Sequence, residues 1–218
     1  MSRRIWSVEH ILSLYRRGLF PMADAADDPR VFIVDPDQRG ILPLEDFHLP
    51  RRLARTIRQD RFVVTLDQAF ARVVDACAAP AANREVTWIN APIRDMCDAL
   101  HAAGWAHSVE AWADGELAGG LYGVRLGGAF FGETMFSRAT DASKVALAHL
   151  VARLKRSGFY LLDAQFITAH LAQFGAVEIS RADYHVRLEE ALRRPTSWPG
   201  GPVSLSGHEV MQSIAQTS

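Results

Sequence analysis

Residues 106–137 read AHSVEAWADGELAGGLYGVRLGGAFFGETMFS, and this stretch decides the fold class. Three largely apolar runs, HSVEAWA, ELAGGLYGVRL and AFFGETMFS, are separated by Asp114-Gly115 and Gly127-Gly128. Such dipeptides supply the positive φ of tight hairpin turns, so the spacing predicts a three-stranded antiparallel meander. Downstream, Thr140 or Asp141 caps a helix over ASKVALAHLVARLKRS that stops at Gly158. FYLLDAQF then reads as a mostly apolar central strand, and Thr168 to Phe174 as a short helix closed by Gly175.

Upstream, RFVVTLD alternates like a strand, and Gln68 to Ala78 and Ala91 to Ala103 have helical periodicity. The first 61 residues hold one helix, Val8 to Arg17 ended by Gly18, then a Pro-rich and Asp-rich irregular stretch through Pro43, then an Arg-rich helix. This order predicts an α+β protein in three parts: a small N-terminal domain with a basic helix (1–61), a catalytic core of mixed, mainly antiparallel sheet flanked by helices (62–194), and a mobile tail rich in Pro and Gly (195–218).

Composition narrows the class. The 218 residues are 49% hydrophobic and 22% charged, enough to bury a sizeable core. No apolar run approaches the roughly 20 residues of a membrane span, and MSRRIWSVEHILSLYRRG does not read as a signal peptide, so a cytoplasmic protein is expected. Cys77 and Cys97 have neither disulfide-framework nor CxxC spacing and read as buried free thiols. The eight histidines show no metal-ligand spacing, and no glycine-rich phosphate loop follows a strand. No metal and no cofactor are expected. Size and a formal net charge of −1 suggest a monomer.

That charge is unevenly spread. Arg51, Arg52, Arg55, Arg58 and Arg61 share an eleven-residue stretch with one acid, Asp60. On a helix, Arg51, Arg55 and Arg58 fall on one face and Leu53 and Ile57 roughly opposite. The stretch reads as a solvated surface helix or as a phosphate-backbone site. Acids inside apolar strands are the other departure. Asp163 and Gln165 alternate to one face of their strand, where an unpartnered pair would cost several kcal/mol. The pair either ties the strand to its neighbours or is catalytic. Glu133 interrupts AFFGETMF directly after Gly132, and beside Asp163 it would make a two-acid cleft suited to a cationic substrate.

The element order is similar to an acetyltransferase-like (GNAT) core, but the turn where such cores hold coenzyme A reads SRATDASK here, without the glycines. More specifically, the chain resembles the bacterial leucyl/phenylalanyl-tRNA-protein transferases in YRRGLFPM (15–22), TWIN (87–90), AHSVE (106–110), GELAGGLYGV (115–124), FFGETMFSR (130–138), DASKVAL (141–147), LLDAQF (161–166) and FGAVEISRADY (174–184). The resemblance implies transfer of Leu or Phe, less readily Met, from aminoacyl-tRNA to the N-terminal Arg or Lys of acceptor proteins, which marks them for proteolysis.

It further implies that Asp163 and Gln165 are the catalytic pair and Glu133 the cleft acid, and that Leu121, Phe130, Met135, Leu147 and Leu162 line the amino-acid pocket. Trp88 would stack on the terminal adenosine, and Arg51, Arg55 and Arg58 would face tRNA. Whether Asp163 acts as a base directly or through Gln165 stays open. The chain departs from the family pattern in reading IVDPDQRG where WSPDPR-like segments are common, and in Leu150 and Leu154, which stand where some members carry aromatics. Rival expectations are a coenzyme A-dependent acyltransferase, a peptidoglycan-type aminoacyl-tRNA transferase and a non-catalytic tRNA-binding module.

Overall fold

The computed structural model describes residues 6–80, 87–200 and 204–216. In chain order the elements are α1 (Val8–Arg16), β1 (Phe20–Met22), β2 (Phe32–Val34), β3 (Gln38–Ile41), α2 (Arg51–Arg58), β4 (Val63–Leu66), α3 (Phe70–Ala78), α4 (Ala91–Ala102), β5 (Ala106–Ala113), β6 (Glu116–Leu126), β7 (Ala129–Ser137), α5 (Ala142–Arg156), β8 (Leu161–Gln165), α6 (Ala169–Ala172), β9 (Val177–Ser180), α7 (Arg181–Arg193) and α8 (Gly207–Ala215).

The meander forms as its turns dictate. Asp114 and Gly115 both have positive φ, 51° and 80°, which closes β5 on β6 with Ala113 opposite Glu116. Seven strands lie in the order β4-β5-β6-β7-β8-β3-β9, and β1 and β2 make a separate two-stranded ribbon. Among the described residues, only β7 and β8 run parallel in the large sheet, because α5 crosses between them; the remaining pairs are antiparallel. The fold is α+β with a mixed, mostly antiparallel sheet.

Alternating side chains feed two cores. Tyr122, Phe131 and Leu161 pack on one face with Leu12 of α1, Val73 of α3, Met96 of α4 and Leu188 of α7. Their neighbours Leu121, Phe130 and Leu162 pack on the other with Ile57 of α2, Leu147 and Val151 of α5 and Val210 of α8. Thus α5 is sheathed on nearly every side, and the sheet is the middle of three layers.

Three elements differ from the sequence reading. The irregular stretch through Pro43 contains β1, β2 and β3, and β3 sits inside the large sheet between β8 and β9. Segment 1–61 therefore delivers a strand to the main sheet as well as its own ribbon. The tail expected to be mobile carries α8, stapled by a capping box between Ser206 and Glu209 and with Val210 fully buried. Apolar burial and capping outweigh the disorder that its Pro and Gly suggested; residues 201–203 and 217–218 of that tail lie outside the described residues. Asp141 does stand at the N-cap of α5, yet its carboxylate makes no cap bond and instead meets Lys144 at 3.0 Å and Arg52 at 3.5 Å.

Candidate active site

The site begins as a fault in the sheet. Strands β7 and β8 pair only from Ala129–Leu161 to Phe131–Asp163, where an added Cβ on Gly132 would lie 3.3 Å from the Asp163 carbonyl. On the other side of β7 the register slips: Gly123 faces Gly132 while Tyr122 faces Thr134. Glu133 is the extra residue of this β-bulge, and a bulge re-aims side chains that would otherwise obey strict alternation. Beyond it the two strands part. A cavity of about 460 Å³ fills the gap, walled by Met135 and Phe136 of β7, Leu162 of β8, Leu121 of β6, Leu147 and Leu150 of α5, and closed towards the N-terminal segments by Trp88 and Met22.

The acids stand at the root of this gap. Asp163 is fully buried and its two oxygens are filled: Oδ1 accepts from Arg39 Nε at 2.9 Å and the Gln165 backbone N–H at 2.8 Å, and Oδ2 from Arg39 Nη2 and Tyr184 Oη, both at 2.6 Å. Arg39 is itself 1% exposed, clasped between the Phe20 and Tyr184 rings with its Cζ 4.5 Å from each centroid, and its Nη1 donates to the Gly18 carbonyl at 2.9 Å. Burial alone would favour loss of the Arg39 proton, but Asp163 more than offsets this and holds the guanidinium above its ordinary value. An ion pair so enclosed persists because both partners are also hydrogen-bonded beyond the pair, Arg39 to the Gly18 carbonyl and Asp163 to Tyr184 and the Gln165 N–H.

Glu133 is in a different condition. Its Oε1 accepts from Tyr15 Oη at 2.8 Å and from Gln165 Nε2 at 3.0 Å, and the carboxylate is half-buried on the cavity wall. Burial pushes its carboxyl up to about 7, the two hydrogen bonds pull down, and the nearby charge of Asp163 adds to the rise. Gln165 reaches it because its own backbone is left-handed, φ 60°, which ends β8 and swings the side chain across the gap. A route from Asp163 through Gln165 would have the side-chain amide of Gln165 donate to Asp163; that amide donates to Glu133 instead, and Asp163 receives the Gln165 backbone N–H. Alternation along β8 predicts a shared face for 163 and 165, and the positive φ breaks that alternation.

Of the residues singled out in the sequence, Glu133, Asp163, Gln165, Leu121, Met135, Leu147, Leu162 and Trp88 all line the cavity. Phe130 does not: it is fully buried, faces the α5 side of the sheet and stacks on Trp198 at 5.4 Å. The adjacent Phe131 turns the other way, against Tyr15. Arg51, Arg55 and Arg58 project from α2 into solvent, with Leu53 and Ile57 buried beneath, away from the residues that wall the cavity. Sequence reasoning missed Arg39, Tyr184 and Tyr15, which hold the acids, together with Met22, Phe136 and Phe166 in the wall. Tyr15 and Tyr184 fall in the quoted YRRGLFPM and FGAVEISRADY stretches, so the signal was an aromatic within a shared motif. Among the described residues no three His, Cys, Asp or Glu side chains cluster as metal ligands, and Cys77 and Cys97 are buried and free of disulfides.

A family model described as leucyl/phenylalanyl-tRNA protein transferase matches residues 41–189. Proteins named leucyl/phenylalanyl-tRNA–protein transferase are similar over nearly the whole chain. That of Hyphomonas neptunium is 58% identical over 96% of this chain and 80% of its own length, and that of Caulobacter vibrioides 54% identical over 98% of both. A solved structure titled L-PGS from Bacillus licheniformis aligns with 85% of this chain and 77% of that one, at 12% identity and a TM-score of 0.45. The family model and the Hyphomonas and Caulobacter relatives place the chain in the class of aminoacyl-tRNA protein transferases. Within that class, the chain belongs to the leucyl/phenylalanyl-tRNA protein transferase family.

Proposed function

We propose that this protein moves Leu or Phe, less readily Met, from aminoacyl-tRNA to the N-terminal Arg or Lys of acceptor proteins in the cytoplasm, acts as a monomer, and thereby creates N-degrons. The observation that carries this reading is the juxtaposition of an apolar cavity of about 460 Å³ with the half-buried Glu133 carboxylate on its wall. The hole takes the side chain of the esterified amino acid. Apolar walls discriminate by about 1–3 kcal/mol per methylene, so leakage to Met is expected.

The acceptor's α-ammonium ordinarily titrates at about 7.7–8.0, close to the value of about 7 at Glu133. Glu133 takes one proton from it. The free amine attacks the ester carbonyl carbon, a C–N bond forms, the C–O bond to the ribose breaks, and the second amine proton passes to the departing ribose oxygen. Amide replaces ester, a downhill exchange that needs no nucleotide hydrolysis. Gln165, tied to Glu133 through Nε2, presents its Oε1 carbonyl as an acceptor that orients the amine. Asp163 has no open lone pair for the incoming nitrogen and acts as a positioning residue: it fixes the Gln165 backbone and, through Arg39, the start of the N-terminal ribbon. Positioning of two substrates in this way is worth up to about 7–11 kcal/mol.

Trp88 offers a π face for the terminal base, a contact worth about 1–3 kcal/mol, and the exposed arginines of α2 supply salt-sensitive attraction for the tRNA backbone. The experiment is direct: purified protein is incubated with Leu-tRNA or Phe-tRNA and a peptide beginning with Arg, and the peptide is weighed. A gain of one Leu or Phe residue is expected. No gain with either donor overturns the proposal.

A further inference from the structure

The cavity continues past its rim into an apolar ledge for which the chemistry above has no use. In the β1–β2 ribbon Met22 faces Phe32 and Phe20 faces Val34, so these four side chains share one face. Phe20 is buried with its ring 5.8 Å from that of Phe166, and Phe166 and Met22 both line the cavity. Next outward, Phe32 is 40% exposed and Phe166 itself 46%, two of the few large apolar side chains open to solvent among the described residues, while Ile33, opposite Pro21, lies on the other face of the ribbon. The ribbon is fastened in place. Asn90 Nδ2 donates to the Asp28 and Arg30 carbonyls of its connecting loop at 2.7 and 3.0 Å, while Asn90 Oδ1 caps α4. The cavity-lining Trp88 stands two residues away, so ledge and cavity keep a fixed relation.

Charge selects among occupants. Residues 20–37 carry five aspartates against Arg30, a net of −4; Arg181 of α7 pairs with both Asp35 and Asp37, which makes the local balance −3, and Asp24 and Asp27 are exposed. That field repels an RNA backbone and attracts a basic peptide. We propose that the Met22–Phe32–Phe166 ledge docks the segment just beyond the acceptor's first residue, an extended stretch bearing apolar and basic side chains. Acceptors would then be ranked by their second and later residues as well as by the leading Arg or Lys. The inference rests on the transferase reading, and the test keeps the two apart.

Transfer from Leu-tRNA is measured with an Arg-starting dipeptide and with an Arg-starting decapeptide containing Leu, Phe and Lys. The decapeptide is expected to show the lower KM in the unaltered protein. Phe32→Ser raises its KM about fivefold, from the apolar area no longer covered, and leaves the dipeptide and Leu-tRNA constants unchanged. Asp24→Asn with Asp27→Asn, both at exposed positions that burden the fold little, weakens the decapeptide at low salt and loses its effect at high salt. Equal KM for the two peptides in the unaltered protein overturns the ledge. So does a rise in the Leu-tRNA KM of the apolar variant, which would give the surface to RNA, or a dimer that it dissolves, which would give the surface to a second copy. Absence of transfer to either peptide overturns the transferase reading along with it.

Discussion

Asp163→Asn tests how the site is held. The substitution keeps shape and the Tyr184 contact but strands the Arg39 guanidinium, which is 1% exposed and clasped by two rings, without a counter-charge. Breaking one member of a buried pair costs about 3–5 kcal/mol, a large part of the roughly 5–15 kcal/mol that keeps an ordinary domain folded. For a chain of this size each kcal/mol moves the melting temperature by about 2–4 °C, so a fall of about 6–20 °C is expected. Circular dichroism melts of the unaltered protein, Asp163→Asn and the double variant Arg39→Met/Asp163→Asn form the assay. The double variant, which buries no lone charge, is expected to recover part of the loss. If Asp163→Asn melts within about 2 °C of the unaltered protein, Asp163 does not hold the fold through Arg39, and its assignment as a positioning residue fails.

Glu133→Gln is expected to remove the rise of transfer rate with pH through about 7, leaving a slow, flat profile; an unchanged inflection assigns the titration elsewhere. The same group affects stability. Its folded value lies above the ordinary 4.5, so its contribution is complete below pH 4.5 and lost as pH rises through about 7. Glu133→Gln should therefore melt level with the unaltered protein at pH 5 and above it at pH 8. Tyr15→Phe deletes a hydrogen bond that lowers Glu133, so its inflection should move to higher pH; movement to lower pH contradicts the assignment. Met135→Ala is expected to narrow the difference in kcat/KM among Leu, Phe and Met donors more than it slows the best of them. Equal loss for all three counts against Met135 as a wall of the pocket. Val210→Asp buries an unpaired carboxylate beneath α8 and should shift the melt strongly downward; an unaltered melt would mean that α8 adds nothing to the core.

The legibility of the sequence tracks the range of the interactions. Hairpin turns are local, so the meander was legible from Asp114-Gly115 and Gly127-Gly128. So were the three polar residues of the site, because Glu133, Asp163 and Gln165 interrupt apolar runs. Strand β3 was not, since QRGI is short and its arginine reads as solvated until Asp163, 124 residues away, is seen to neutralise it. IVDPDQRG marked a departure from the family pattern, yet it contains the residue that locks the central acid. Helix α7 shows an interior stripe of Tyr184, Leu188 and Ala191 too sparse to stand out among its charges. The direction of Gln165 was hidden for another reason: unlike the Asp of an Asp-Gly turn, a glutamine has no local preference for positive φ, and the tertiary constraint that imposes it is contained in no alternation rule.

That backbone has a consequence for anyone wishing to toughen this protein. Among the described residues five non-glycines lie in the left-handed region: Asp60, Asp67, Asp114, Asp141 and Gln165. A routine stabilisation scan would offer glycine at each, since relief of left-handed strain is worth about 1 kcal/mol. At the hairpin tip, Asp114, the exchange is harmless to catalysis. At 165 it would yield a sturdier molecule without the amide that the proposed mechanism uses, which sets tolerance of heat against turnover at one dihedral angle.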